Sequence, residues 1–254
     1  MKSPGETSLP EGTLFIGDLH LDTADSERVA AFVEWCEEVA AEASHLVILG
    51  DLFEYWIGDG QLDEPGAQRA AEALAALTGS GIGVDFIPGN RDFLVGGRFQ
   101  AESGIRRWPA GLIATLPGGR RALILHGDEL CTRDRAYQRL RRVLRFPPVA
   151  WMGQHLPRAL AHRVADRLRR ASRSAVARKP SAEKALQPEA GRELLDQLAC
   201  SVLVCGHVHE HRDQDLGEGR RLLVVDAFGG PRDAVRLEVG GSLAPGGAGS
   251  GARP

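Results

Sequence analysis

Two aspartates, an asparagine and four histidines in this chain have the types and spacing for metal-assisted attack on phosphorus. They lie in five short segments: Asp18-Leu19-His20, Gly50-Asp51, Gly89-Asn90-Arg91-Asp92, His126-Gly127-Asp128 and Gly206-His207-Val208-His209. Asp18 and His20, two apart on an extended segment, can reach one ion. Asp51 is placed to bridge two ions, Asn90 and His126 offer an oxygen and a nitrogen to the second, and His207 and His209 can close one sphere each. Seven such donors exceed what one ion needs and suit a pair of Mn²⁺, Fe or Zn ions. Water held between two ions loses a proton near neutral pH, and Arg91 would sit beside phosphoryl oxygens as charge builds there. No serine or cysteine nucleophile is required. Taken singly, an Asp-x-His or a Gly-Asp is ordinary turn chemistry; the five in order carry the signal.

Each segment follows a short apolar run that reads as a buried strand: Leu14–Ile16, Leu46–Leu49, Val84–Ile87, Leu123–Leu125 and Val202–Cys205. Polar groups at strand ends are where open α/β sheets place their sites. Between the runs, Asp25 or Ser26 can cap a helix with Val29, Phe32, Val33, Cys36 and Val39 on its inner face. A second helix is expected around Ala67–Leu77. Leu112–Leu116 and Arg121–Leu125 flank Pro117-Gly118-Gly119, a hairpin signal. Residues 131–198 read as helical, broken at Pro147-Pro148 and Pro180, and too long for a loop. Strands return at Leu222–Val225 and Ala234–Val239. The fold class is α/β: one domain over 13–240 containing a 131–198 Arg-rich helical insertion, with flexible tails at 1–12 and 241–254.

Composition narrows the class. An apolar fraction of 43% with 26% charged residues is that of a water-soluble globular chain. No apolar run reaches the ~18 residues of a spanning helix. Met1 to Gly12 lacks the layout of a secretory signal, and Cys36, Cys131, Cys200 and Cys205 make no CxxC pair; reduced thiols in a cytoplasmic protein are expected. The net charge is −3, yet residues 133–179 hold fourteen Lys or Arg against Asp134 and Asp166, a local excess of +12. Such a patch attracts a phosphorylated substrate, an anionic membrane surface or nucleic acid. Within it, Leu156, Leu160, Val164 and Leu168 form one apolar stripe beside Arg158, Arg163, Arg167, Arg169 and Arg170, a fair membrane-surface element or a lid packed on the core. Trp56 and Ile57, in an aromatic loop after Asp51, read as core.

The order Asp-x-His, Gly-Asp, Gly-Asn-x-Asp, His, Gly-His-x-His resembles that of the calcineurin-like metallophosphoesterases. Longer strings narrow the resemblance: Leu14–His20, LGDLFEYWIGD over Leu49–Asp59, GNRDFL over Gly89–Leu94 with Arg98-Phe99, and HGDELCT over His126–Thr132 with Asp134, Ala136, Tyr137 and Gln138. With Arg91 where most of the superfamily has His, they are similar to the subgroup acting on UDP-2,3-diacylglucosamine in lipid A biosynthesis.

The resemblance implies a sandwich of mixed sheets flanked by helices, with the insertion as a lid. It implies two divalent ions, Mn²⁺ first, the first held by Asp18, His20, Asp51 and His209. Asp51, Asn90, His126 and His207 would hold the second. Implied substrate contacts are Asn90, Arg91, Asp134, Ser172, Lys179 and His207, with Asn90, Arg91 and His207 at the chemistry and Tyr137 a neighbour. Implied too are pyrophosphate hydrolysis to UMP and 2,3-diacylglucosamine 1-phosphate, and a place on the cytoplasmic face of the inner membrane. Beyond the substrate and an anionic membrane surface, no nucleic acid and no obligate protein partner is expected. Departures from the subgroup's pattern are Val176, Val208, Glu210, Arg133 and the missing Trp near Phe228. Two rival readings remain: a phosphoesterase for a different nucleotide diphosphate or phosphodiester, and a non-enzymatic binder of anionic surfaces.

Overall fold

A computed structural model of the protein describes residues 3–24, 26–155, 163, 167 and 185–245. Two six-stranded mixed sheets stack face to face, with helices on their outer sides. In chain order the strands are β1 (Gly5–Ser8), β2 (Thr13–Ile16), β3 (His45–Ile48), β4 (Gly83–Phe86), β5 (Arg106–Arg107), β6 (Leu112–Thr115), β7 (Arg121–Ile124), β8 (Val202–Cys205), β9 (Arg212–Gly217), β10 (Arg220–Val224), β11 (Ala234–Leu237) and β12 (Leu243–Pro245). The helices are α1 (Ser26–Glu38), α2 (Pro65–Gly79), α3 (Gly97–Ser103), α4 (Arg135–Leu144), α5 (Pro147–Gln154) and α6 (Pro188–Gln197). The sheet orders are β1-β6-β7-β8-β10-β9 and β12-β11-β2-β3-β4-β5.

The apolar runs are continuous because the strands are covered on both sides. Along β2, β3 and β4, which are parallel and in register, Leu14, Ile16, Leu46, Ile48, Val84 and Phe86 face α1 and α2, packing with Val29, Phe32, Cys36 and Leu74. Phe15 and Val47, pointing the other way, meet Ala114, Ile124, Val204 and Leu223 of the second sheet. The outer face of that sheet, with Leu123, Leu203, Leu222 and Val224, packs against Leu195 of α6. All four cysteines are buried and free.

Three expectations change. Residues 5–8, expected in a flexible tail, form β1, which pairs in parallel with β6 while Leu9 is buried behind it. The short segment has no apolar alternation to announce it; its stability comes from the backbone ladder it completes. Residues 243–245, expected in the other tail, pair with β11 as β12. The third concerns the insertion. β7 and β8 are parallel neighbours, so the chain between them is a crossover and needs a helix on the sheet. That helix is α6, which belongs to the core rather than to the Arg-rich insertion expected over 131–198. The stripe Leu156, Leu160, Val164 and Leu168 lies outside the described residues.

One charge is buried within β4 itself. Asp85 of β4 is fully buried and accepts from His45 at 2.8 Å, Trp108 Nε1 at 2.7 Å and Arg106 Nε at 2.9 Å. Burial alone would raise its pKa, but the hydrogen bonds from His45 and Trp108 and the charge of Arg106 hold it below the ordinary 3.8. A carboxyl whose folded pKa is depressed adds stability above its unfolded pKa and loses it as pH falls through the folded one. Asp85→Ala is therefore expected to destabilise by about 3 kcal/mol at pH 7. In urea unfolding, the gap from wild type should narrow as pH drops below 3.8; a gap independent of pH would disprove the ionic account.

Candidate metal centre

The five segments meet at one edge of the sandwich, where β2, β3, β4, β7 and β8 end. Asp18 is buried; its Oδ2 accepts the His207 amide at 2.6 Å, and its Oδ1 lies 3.6 Å from His209 Nε2 and 4.0 Å from His20 Nε2. His20 Nε2 and His209 Nε2 are 3.0 Å apart. On the other side, His126 Nε2 faces Asn90 Oδ1 at 3.0 Å, His207 Nδ1 at 3.2 Å and Asp51 Oδ2 at 3.7 Å. His126 Nδ1 donates to the Leu49 carbonyl at 2.7 Å, which leaves Nε2 as the atom turned to the site. All seven expected donors thus come together. Asp18-His20-His209 and Asp18-Asp51-His126 each bring three donor atoms within 4.8 Å of one another.

The donor set fits divalent ions. Asp18 Oδ1 and His20 Nδ1 are buried without a hydrogen-bond partner, and a buried carboxylate oxygen left so is costly unless a cation meets it. Atoms of ligand type stand 3.0 Å apart at His20/His209 and at His126/Asn90.

Electrostatics agree. Burial is the largest influence on His126 and would lower its pKa, but Asp51, Asp18 and Asp128 raise it to about 9. Asp51 is pushed up to about 7 by burial, against His126 and with Asp92 and Asp18 adding to the rise. His207 is lowered to about 4 by burial and by His126, and His20 to about 3 by burial and by Arg91, so both keep a free lone pair at pH 7.

The backbone at the site is unusual. Asp18, His20, Asp51, His207 and His209 all have positive φ, between 48° and 76°. A non-glycine residue there costs about 1–2 kcal/mol; five of the seven candidate donors carry that strain. Glycines make room for them. A Cβ on Gly89 would stand 2.1 Å from Asp51 Oδ1, and one on Gly50, itself at φ 91°, would stand 2.6 Å from Gly89 N.

Several residues that sequence reasoning left without a role hold the site. Asp92 is buried and accepts the Gly89 amide at 2.8 Å and the Leu52 amide at 2.7 Å, tying two ligand loops together. Glu54 holds Arg91 Nη1 at 2.6 Å and lies 3.6 Å from His20 Nδ1. Trp56, buried against Phe53 and Phe99 as expected, donates its amide to the Arg91 carbonyl. Asp128 takes Tyr137 Oη at 2.5 Å and Arg141 Nε at 2.6 Å, and Arg145 donates to the Gly89 carbonyl at 2.9 Å. Arg141 also pairs with Glu129. Two arginines of the basic patch therefore serve as bolts into the site loops, offset by acids that precede the patch. The Gly-Asn-x-Asp and His-Gly-Asp strings were the available signals for Asp92 and Asp128.

Among the expected substrate contacts, Asn90, Arg91 and His207 are in the cluster. Arg91 is 35% exposed, open to a ligand on one side. Asp134 is buried and caps α4, accepting the Tyr137 amide at 2.9 Å. Ser172 and Lys179 lie outside the described residues, as does Val176.

Residues 13–211 match the calcineurin-like phosphoesterase family, and the chain belongs to that class of metal-using esterases. It is 38% identical to the UDP-2,3-diacylglucosamine hydrolase of Shewanella piezotolerans, over 84% of this chain and 88% of that protein. The enzyme of the same name from Sodalis glossinidius is 38% identical over 91% and 96% of the two chains. That of Photorhabdus laumondii is 39% identical over 78% and 81%. Within the class, the chain falls in the UDP-2,3-diacylglucosamine hydrolase family.

Two measurements probe the centre. Metal binding must expel the protons held at His126 and Asp51, so calorimetric Mn²⁺ affinity should rise between pH 6 and pH 9, about tenfold per proton released per pH unit. A flat profile would rule out that assignment. Gly89→Ala should displace the Asp51 carboxylate and weaken metal binding by at least about tenfold; unchanged binding would show that Asp51 is not a donor.

Proposed function

We propose that this protein hydrolyses the pyrophosphate bond of UDP-2,3-diacylglucosamine, giving UMP and 2,3-diacylglucosamine 1-phosphate. The observation that carries the reading is the convergence of Asp18, His20, Asp51, Asn90, His126, His207 and His209, with a bare Asp18 oxygen at their centre. The family supplies the substrate.

In this reading Asp18, His20, Asp51 and His209 hold one ion, and Asp51, Asn90, His126 and His207 the other; the mixed oxygen and imidazole set suits Mn²⁺. When bound, the ions supply Lewis acidity and lower the pKa of water near the α-phosphorus. The chain's own groups do the rest. Arg91, steadied by Glu54, sets a guanidinium beside Asp51 to offset charge on the phosphoryl oxygens. Asn90 and His207, neutral at pH 7, orient the same oxygens without adding repulsion. Water displaces the bridging oxygen, and the P–O bond to the glucosamine phosphate breaks. Ser172 and Lys179 are the further substrate contacts of this reading. A lipid-linked substrate supports a position at the cytoplasmic face of the inner membrane as part of this reading; no described helix is long and apolar enough to cross one.

Purified protein with synthetic substrate and Mn²⁺ is expected to release UMP, to stop with chelator, and to lose about 10³-fold in kcat/KM on Asp51→Asn. Faster cleavage of a generic aryl phosphodiester would overturn the substrate assignment.

A further inference from the structure

Six buried side-chain nitrogens and oxygens among the described residues have no hydrogen-bond partner, and two of them sit on one side of the metal centre: Asp18 Oδ1 and His20 Nδ1. A cation accounts for the carboxylate oxygen. It does not account for the ring nitrogen. His20 Nε2 is the atom turned to the donors, 3.0 Å from His209 Nε2 and 4.0 Å from Asp18 Oδ1. An imidazole that offers its Nε2 lone pair to an ion carries its proton on Nδ1. That N–H is buried, and a buried donor needs an acceptor.

Among the described residues, the carboxylate beside Nδ1 is Glu54, with Oε2 at 3.6 Å. A hydrogen bond closes at about 2.7–3.2 Å, so the gap is one that a small side-chain rotation removes. The backbone leaves Glu54 little choice of place. Beyond β2 and β3 the two chains run on side by side. The His20 amide donates to the Asp51 carbonyl at 2.8 Å, the Leu21 amide to Leu52 at 2.9 Å, and the Glu54 amide back to Leu21 at 3.0 Å. Leu21 and Phe53, both buried, bridge the pair. Main-chain bonds therefore lock Glu54 next to His20. Its other oxygen, Oε1, holds Arg91 Nη1 at 2.6 Å. The remaining charged neighbours of the His20 ring do not serve: Arg28 and Arg91 cannot accept, and Asp18 and His209 lie at Nε2.

We propose that Glu54 is a positioning residue of the metal centre. Its Oε2 accepts the Nδ1–H of His20 and so fixes the tautomer that presents Nε2 to the ion, while Oε1 keeps Arg91 at the phosphoryl side. One carboxylate then ties a metal donor to the guanidinium that meets the substrate, and its loss weakens both. The inference deepens the proposed hydrolysis. Its Arg91 half rests on that reading, its His20 half on the donor cluster alone.

The test uses the full chain. In the protein loaded with diamagnetic Zn²⁺, the nitrogen resonances of the His20 ring should show a protonated Nδ1 and a metal-bound Nε2. The opposite tautomer would overturn the proposal with no variant needed. Calorimetric Mn²⁺ titration of Glu54→Ala should show affinity weaker by about 10–100-fold, and the same loss should appear when Glu54→Ala is made in an Arg91→Ala background. In that background Glu54→Gln, whose amide oxygen can still accept from Nδ1, should recover most of it. Unchanged affinity in Glu54→Ala, a loss that vanishes without Arg91, or no recovery with glutamine would each overturn the proposal. Wild-type turnover of UDP-2,3-diacylglucosamine is measured separately. Its absence would sink the substrate reading, while the titrations and the tautomer still decide the role of Glu54.

Discussion

Everything at the active edge answers to one constraint: two buried carboxylates and four imidazoles, of which only His209 is exposed, are made to face each other across a few ångströms. Such an arrangement is unfavourable by itself, and the pKa values record the conflict, with His126 driven up and Asp51 holding on to its proton. Positive charge at the centre is the one resolution that leaves all donors in place. The strained φ values belong to the same logic. Left-handed residues at Asp18, His20, His207 and His209 turn these side chains out of the parallel directions that residues two apart on an extended strand would take, Asp18, His20 and His209 toward one group and His207 toward His126.

The surrounding structure spends its polar groups on keeping that point rigid. Asp92 fastens the Gly89 loop to the Leu52 loop, the Leu49 carbonyl fixes the His126 ring, and Glu54 holds Arg91. Asp128 is pulled to low pKa: burial opposes ionisation, but Arg145, His126 and Arg141 outweigh it. Its arginine partners start the Arg-rich segment, so α4 is tied by buried charge to the loop that carries His126. Of the five arginines on α4 and its C-cap, Arg141 and Arg145 are the inward ones that make this tie.

Much of this was legible in the sequence. The apolar runs before each motif gave strands to within a residue or so, because strands covered on both faces must be apolar throughout. The donor types, their order and the Gly-Asp and Gly-Asn strings announced the centre, since few chemistries need such a set. Less legible were β1 and β12, whose short segments are held by ladder hydrogen bonds rather than by pattern, and α6, whose core role follows from β7 and β8 being neighbours. Glu54 and Asp92 lay in the quoted strings, but apart from Gly89 the partners that give them their roles, His20, Arg91 and Leu52, are 34 to 40 positions away, beyond any local reading.

By itself, the sequence determined which atoms are available and on which strand ends they stand, because side-chain type and hydrophobic period are local properties. Only the tertiary structure decided that Asp134 is a helix cap, and which arginines of α4 are neutralised and which face outward. Those outcomes depend on distances between segments far apart in the chain, which long-range packing sets and no local pattern encodes.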